Sequence, residues 1–317
     1  MQNVGKKFAL ILCAWLAAIP MGAGSAAAKE PLPVVATFSI LGDIVQQVGG
    51  ERVSVQTLVG PDGDSHVYQP TPRDAQTVAK ANLLFANGLG FEGWMDRLIE
   101  ASGFTGTLVK LADGVKTITA ENDHHGHGHG HHHGHNVDHD GPVPDPHAWQ
   151  SLANAKIYAA NAAAALTAAD PAGAAYFQER LTKYVAEIGK LEQALYNQLL
   201  ALPAGEHKVV TSHDAFGYFA DAYGVEFLAP LGMSTESEAS AKDVAKLIRQ
   251  IKDDQIAAIF LEYTTDPRLI QQIQRETGVQ IGGTLYPGAL SGPEGPAATY
   301  LDMMRYNIAT VMAALQK

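Results

Sequence analysis

DPAGAAYFQERLTKYVAEIGKLEQALYNQLLALP, residues 170–203, is the stretch on which the fold turns. Phe177, Leu181, Tyr184, Ile188, Leu191 and Leu195 recur at steps of four and three, which places them on one face of an α-helix. Asp170 and Pro171 read as an N-cap and first-turn pair, and Pro203 ends the pattern. One helix from about Ala172 to Leu202 is predicted, about 45 Å long at 1.5 Å per residue. Such a stripe serves either as a coiled-coil seam between two chains or as a spine within one. It stops where strand and helix patterns resume, which favours the spine and a monomer.

Working outward toward the N-terminus, short apolar runs alternate with helical patterns, as a parallel α/β sheet requires. Strands are predicted at Val34–Thr37, Val53–Leu58, Leu83–Asn87 and Thr107–Leu111, and helices at Ile40–Val48, Pro72–Ala79, Phe91–Ala101 and Ala148–Ala168. Residues 121–146 interrupt this order with Gly, His, Asp, Asn and Pro, a composition with nothing to bury and expected to be disordered. Beyond Pro203 the alternation repeats: strands at His207–Thr211, Val225–Leu228, Ala257–Glu262 and Val279–Leu285, and helices at Ala215–Ala222, Ala241–Asp253, Pro267–Thr277 and from about Ala297. The predicted fold class is α/β, two parallel-sheet lobes joined by one long rigid helix with a ligand in the cleft between them. The corresponding boundaries are a leader at 1–28, a first lobe at 29–168, the linker helix at 169–203 and a second lobe at 204–317.

The chain begins with Lys6 and Lys7, an apolar stretch from Phe8 to about Ile19, and small residues through Ala28, the order of a cleavable export signal. The apolar stretch falls short of the roughly 20 residues that span a bilayer. Cys13, the single cysteine, lies inside it behind Leu12, which does not suit a lipoprotein cleavage site. Cleavage near Ala28 therefore leaves a periplasmic chain without cysteine, unable to form disulfides and limited to nitrogen and oxygen ligands for any metal. The formal charge of the whole chain is −11. The loss of two lysines with the leader makes it more negative still, which gives no electrostatic reason to bind nucleic acid.

Three isolated histidines stand at the starts of separate units: His66 in GDSHVYQPTP, His147 in PDPHAWQ and His213 in VVTSHDAFGYFA. Ligands of open parallel sheets bind beyond the carboxyl ends of the strands, and His66 and His213 each follow a strand closely. Three neutral imidazoles and one further oxygen make a four-coordinate zinc site. Each histidine alone is as readily a cap or a surface residue. Their joint weight comes from scarcity, since outside the His-rich tract only His207 remains, at a strand start and hence at the other end of the sheet. The tract itself holds His124, His125, His127, His129, His131, His132, His133, His135 and His139, which offer weak auxiliary sites without preformed geometry. It either captures scarce zinc for the cleft or is an inert loop. Asp145 and Asp214 are candidates to orient the neighbouring imidazoles, although capping a helix is the commoner use of Asp in such positions. Tyr68, Trp149, Phe216 and Tyr286 either wall the cleft or fill ordinary core.

GDSHVYQPTP, DPHAWQ, TSHDAFGYFA, FLEYTTDPRLI and TLYPGALSGPEGPAATYLDMMRYN together resemble the metal-specific periplasmic solute-binding proteins of ABC importers, particularly the zinc-uptake branch with its His-rich loop. The resemblance spans nearly the whole chain after the leader. It implies a metal site at His66, His147 and His213, Zn2+ as cargo, limited closure of the lobes, and delivery to a membrane permease driven by an ATPase. A periplasmic zinc metallochaperone is a further candidate partner. Many members carry an aspartate in a motif like LYxDxLS; here the motif reads LYPGALS, with Gly288 at that position. The fourth position is then a water or an oxygen of Glu262. A site poor in carboxylates favours zinc over manganese, which prefers oxygen-rich octahedral surroundings. A manganese-binding homologue is the first alternative. A zinc hydrolase is a second, but HExxH is missing and only Glu262 offers itself as a general base, so no enzymatic activity is expected. A metal buffer that never meets a transporter is a third.

Overall fold

The computed structural model describes residues 30–119, 143–202, 207–254 and 256–316. The predicted leader at 1–28 and the His-rich tract lie outside these residues.

The first lobe alternates as its apolar periodicity requires: β1 (Leu32–Phe38), α1 (Ser39–Gly49), β2 (Val53–Val59), α2 (Pro72–Ala79), β3 (Leu83–Ala86), α3 (Met95–Ser102) and β4 (Thr107–Lys110). Its four strands are parallel in the order β2-β1-β3-β4. β3 is buried at every position, as expected for a strand covered on both faces. After α4 (Leu152–Ala169) and α5 (Ala174–Leu199), the second lobe continues with β5 (Lys208–Val210), α6 (Gly217–Tyr223), β6 (Glu226–Leu228), α7 (Ala241–Asp253), β7 (Ala258–Glu262), α8 (Arg268–Thr277), β8 (Ile281–Leu285) and α9 (Tyr300–Leu315). Its parallel order, β6-β5-β7-β8, repeats that of the first sheet. In both sheets the chain reverses its direction of travel between the two central strands, which opens a crevice at their carboxyl ends.

α5 is the spine. It buries Phe177, Tyr184, Ile188, Leu191 and Leu195 and packs against α1, α4 and α9. At 26 residues it is about 39 Å long. It is shorter than the span predicted from Ala172 to Leu202, because Pro171–Gly173 forms a separate 3-10 turn and the helix stops at Leu199. Asp170 does not cap that turn through its side chain. Its buried carboxylate instead accepts from Arg52 Nε at 2.9 Å and Nη2 at 2.5 Å, tying the start of the spine to the turn before β2.

Other boundaries also differ from the sequence prediction: α4 starts at Leu152 rather than Ala148, because Ala148–Gln150 forms a separate 3-10 turn. α3 starts at Met95 rather than Phe91, because Gly88, Leu89 and Gly90 all have positive φ and the carboxylate of Glu92 takes the N–H groups of Asn87 and Gly88. The last helix begins at Tyr300 rather than near Ala297, set by Thr299, whose hydroxyl accepts from the N–H of Asp302. Among the described residues, no helix is long and apolar enough to cross a membrane.

Candidate metal site

The three isolated histidines meet. Their ligand nitrogens all lie within 4.8 Å of one another, and their ring centroids form a nearly equilateral triangle with sides of 5.3, 5.4 and 5.5 Å. Each arrives from the carboxyl edge of a sheet. His66 follows β2 through the turn at residues 60–63, in which Asp62 adopts a left-handed conformation. His147 precedes a short 3-10 turn, Ala148–Gln150, that leads into α4. His213 follows β5 by three residues. His207 sits at the amino end of β5, apart from the cluster.

Two of the rings are fixed by carboxylates. Asp145 Oδ1 accepts from the His147 backbone N–H at 2.8 Å and pairs with His147 Nδ1 at 2.9 Å. Glu262, at the end of β7, holds His213 more fully. Its Oε1 accepts from the N–H groups of Ser212 and His213 at 2.8 and 3.0 Å, and its Oε2 pairs with His213 Nδ1 at 2.6 Å. A carboxylate on Nδ1 keeps the proton there and turns the Nε2 lone pair outward, the arrangement that commonly supports metal-binding histidines. His147 Nε2 lies 3.3 Å from His66 Nε2. Two nitrogens bound to one tetrahedral zinc at 2.0–2.1 Å stand roughly 3.3–3.4 Å apart.

The surroundings leave two of the imidazoles neutral. Burial, followed by the proximity of His147 and His213, holds His66 down to about 2. Burial likewise lowers His147, against the opposing pull of Asp145. His213 is burdened by the same desolvation, but the charge and hydrogen bond of Glu262 outweigh it and raise its affinity for a proton. Burial and then the charge of Asp145 push the Asp214 carboxyl up.

Asp145 thus orients a ring, although capping was the commoner expectation. Asp214 hydrogen-bonds neither imidazole, and its backbone N–H goes to Gly232 O. Of the four candidate wall aromatics, Trp149 touches His147, at 5.3 Å between centroids. Tyr68 packs on Trp94, Phe216 stacks on Phe227, and Tyr286 leans on Tyr263. Phe91 was not among the residues expected at the site, yet its ring lies edge-on to His66 at 4.8 Å and also contacts His147 and Trp149. Its apolar spacing resembled a helix start and hid this role. Around Gly288, an added Cβ would meet nothing within 4 Å. The preceding carbonyl, Pro287 O, accepts from both Trp149 Nε1 and Gln150 Nε2, binding the loop after β8 to the His147 turn.

Residues 34–314 match the family described as zinc-uptake complex component A, periplasmic. The chain is 28% identical to the manganese-binding lipoprotein MntA of Halalkalibacterium halodurans, with all of both chains covered. It is 31% identical to the iron-binding protein YfeA of Yersinia pestis, covering 88% of this chain and 84% of that one. The solved structure of the periplasmic zinc binding protein TroA from Treponema pallidum superposes with a TM-score of 0.80 at 27% identity, covering 90% of this chain and 100% of that one. With a match running from the first strand to the end of the last helix, the chain belongs to this family of metal-binding components of ABC importers, which are solute-binding proteins and not enzymes.

Proposed function

We propose that this chain captures Zn2+ in the periplasm and delivers it to a membrane permease driven by an ATPase, with His66, His147 and His213 as the protein ligands. One observation carries the proposal: three imidazole nitrogens from three distant segments converge, and among the described residues no carboxylate joins the cluster. Zinc accepts a three-nitrogen set with an open fourth position, whereas manganese favours a set richer in oxygen. Both Glu262 oxygens are engaged behind His213, which supports water as the fourth ligand and a positioning role for Glu262. Relatives named for manganese and iron make a manganese cargo the second reading.

The roots of the His-rich tract supply a route for capture. Thr119 and Pro144 pair as an antiparallel bridge, so the segment between them starts and ends close to Asp145 and His147. The tract then collects zinc weakly and passes it to the cleft. The leader is removed near Ala28.

Metal competition tests the proposal. The purified chain, stripped and offered equal zinc and manganese, retains one tightly held zinc, and alanine at any of the three histidines abolishes its retention. Retention of manganese over zinc overturns the cargo assignment. Deleting residues 123–140 removes the weak sites and keeps the tight one; loss of the tight site overturns the division of labour.

A further inference from the structure

His147 and His213 are each held through Nδ1 by a carboxylate, but His66 is held in another way. Its backbone N–H donates to Asp64 Oδ1 at 2.9 Å, and the other oxygen of the same carboxylate accepts from Thr235 Oγ1 at 2.7 Å. Thr235 belongs to the second lobe, 171 residues away, in the loop between β6 and α7. That loop is fastened beside the third ligand. Leu231 pairs with His213 as an isolated bridge, with the Leu231 N–H donating to Ser212 O at 3.3 Å and the Asp214 N–H to Gly232 O at 3.2 Å. A continuous chain of contacts therefore runs from His66 through Asp64 and Thr235 to the backbone on either side of His213.

The start of the same turn is secured separately, by the Asp62 N–H donating to Leu290 O at 3.0 Å. That bond places the turn, and Asp64 places its last residues. Asp64 and Thr235 also line a cavity of about 620 Å3 whose wall includes Leu231 and Ser212, the residue before His213.

We propose that Asp64 and Thr235 form a clasp that positions His66 according to whether the lobes are closed, and so set how fast the metal leaves without contributing a ligand. The inference rests on the three-histidine metal site. In the closed arrangement Thr235 holds Asp64, and Asp64 holds the His66 backbone. When the second-lobe loop draws away, Asp64 loses its anchor and His66, the most exposed of the three residues, is the first to come free. Neither Asp64 nor Thr235 belongs to the cluster of metal-ligating atoms.

Stopped-flow dissociation of zinc from the full-length chain into excess chelator tests the clasp, read from the slow phase. Thr235→Val keeps the side-chain shape and removes the hydroxyl. The expected result is a slow phase about tenfold faster, the change that corresponds to one net hydrogen bond. Thr235→Ser should restore the parental rate, and the melting temperature of the metal-free protein should be the same in all three. Asp64→Asn keeps an oxygen for the His66 N–H and an amide that can donate to the Thr235 hydroxyl, so it should be milder than Asp64→Ala. A parental rate in Thr235→Val, or a serine variant as fast as the valine one, overturns the clasp. If the parent itself shows no slow zinc phase, the metal-site assignment falls first.

Discussion

Replacing Glu262 by glutamine changes the charge and the hydrogen-bond direction of one buried side chain while barely changing its shape, and the geometry dictates the outcome. Oε1 receives two backbone N–H groups, from Ser212 and His213. In the variant only the amide oxygen can occupy that place, because an NH2 group there would face two donors. The NH2 group must then take the position of Oε2, which lies 2.6 Å from His213 Nδ1. A donor at that distance forces Nδ1 to accept, so the single ring proton moves to Nε2. The lone pair that faces His66 and His147 is lost, and zinc binds only after the amide bond is broken or the ring rotates. Loss of an orienting partner typically costs 10–100-fold in metal affinity, or about 1.4–2.7 kcal/mol.

Two measurements check this. Competition with a chromophoric chelator gives the zinc affinity, and 15N chemical shifts of the metal-free protein report which nitrogen of His213 carries the proton. The expected outcome is a loss of about 10-fold or more in affinity, together with a switch of His213 to the Nε2–H form. An unchanged affinity refutes the orienting role. A large loss with the Nδ1–H form retained refutes the tautomer argument and points instead to Glu262 as a direct ligand.

The pH dependence comes from the unequal environments of the rings. His66, held at about 2, does not compete with metal for a proton, whereas His213 takes up a proton more readily than an ordinary imidazole. Zinc affinity should therefore begin to fall, as the pH is lowered, at a value above the ordinary histidine range. A chelator titration across pH checks this, and a decline confined to strongly acidic pH contradicts it. Ile188→Ala empties a fully buried position on α5, and unfolding by denaturant should show a loss of about 2–5 kcal/mol. Gly288→Asp places a carboxylate where an added Cβ meets no atom within 4 Å, so the variant should fold with the parental melting temperature and retain more manganese in competition with zinc. An unchanged metal ratio would show that this position does not reach the site.

How much of the molecule was legible in the sequence depended on whether the deciding forces were local. The bounds of α2 and α7 were read correctly at both ends. Thr71, Pro72 and Asp74 make a capping box within four residues, and Ser240 caps through the N–H of Asp243. The start of α3 was misread, since Phe91 and Trp94 carry a helical spacing while the backbone around Gly88–Gly90 follows the Glu92 carboxylate, which is itself held by Thr37 from 55 residues away. Asp170 was misread for the same reason, because the residue that claims it, Arg52, lies 118 positions away.

The site divides along the same line. The three converging histidines could be nominated because histidine is scarce outside the tract and each candidate follows a strand or precedes a helical pattern, facts contained in short windows of sequence. Their supports could not be nominated so readily, because a carboxylate is recognised as an orienter only by what it faces. Asp145 is two residues from its imidazole and holds both the His147 N–H and the ring, while no side chain caps the 3-10 turn that follows. Glu262 is 49 residues from His213 and looked from its sequence position like a fourth ligand or a general base. Parallel pairing of β5 with β7 brings the end of one strand beside the other and turns that carboxylate onto Nδ1. Sheet order, more than residue type, therefore sets Glu262 behind His213 rather than among the three imidazoles.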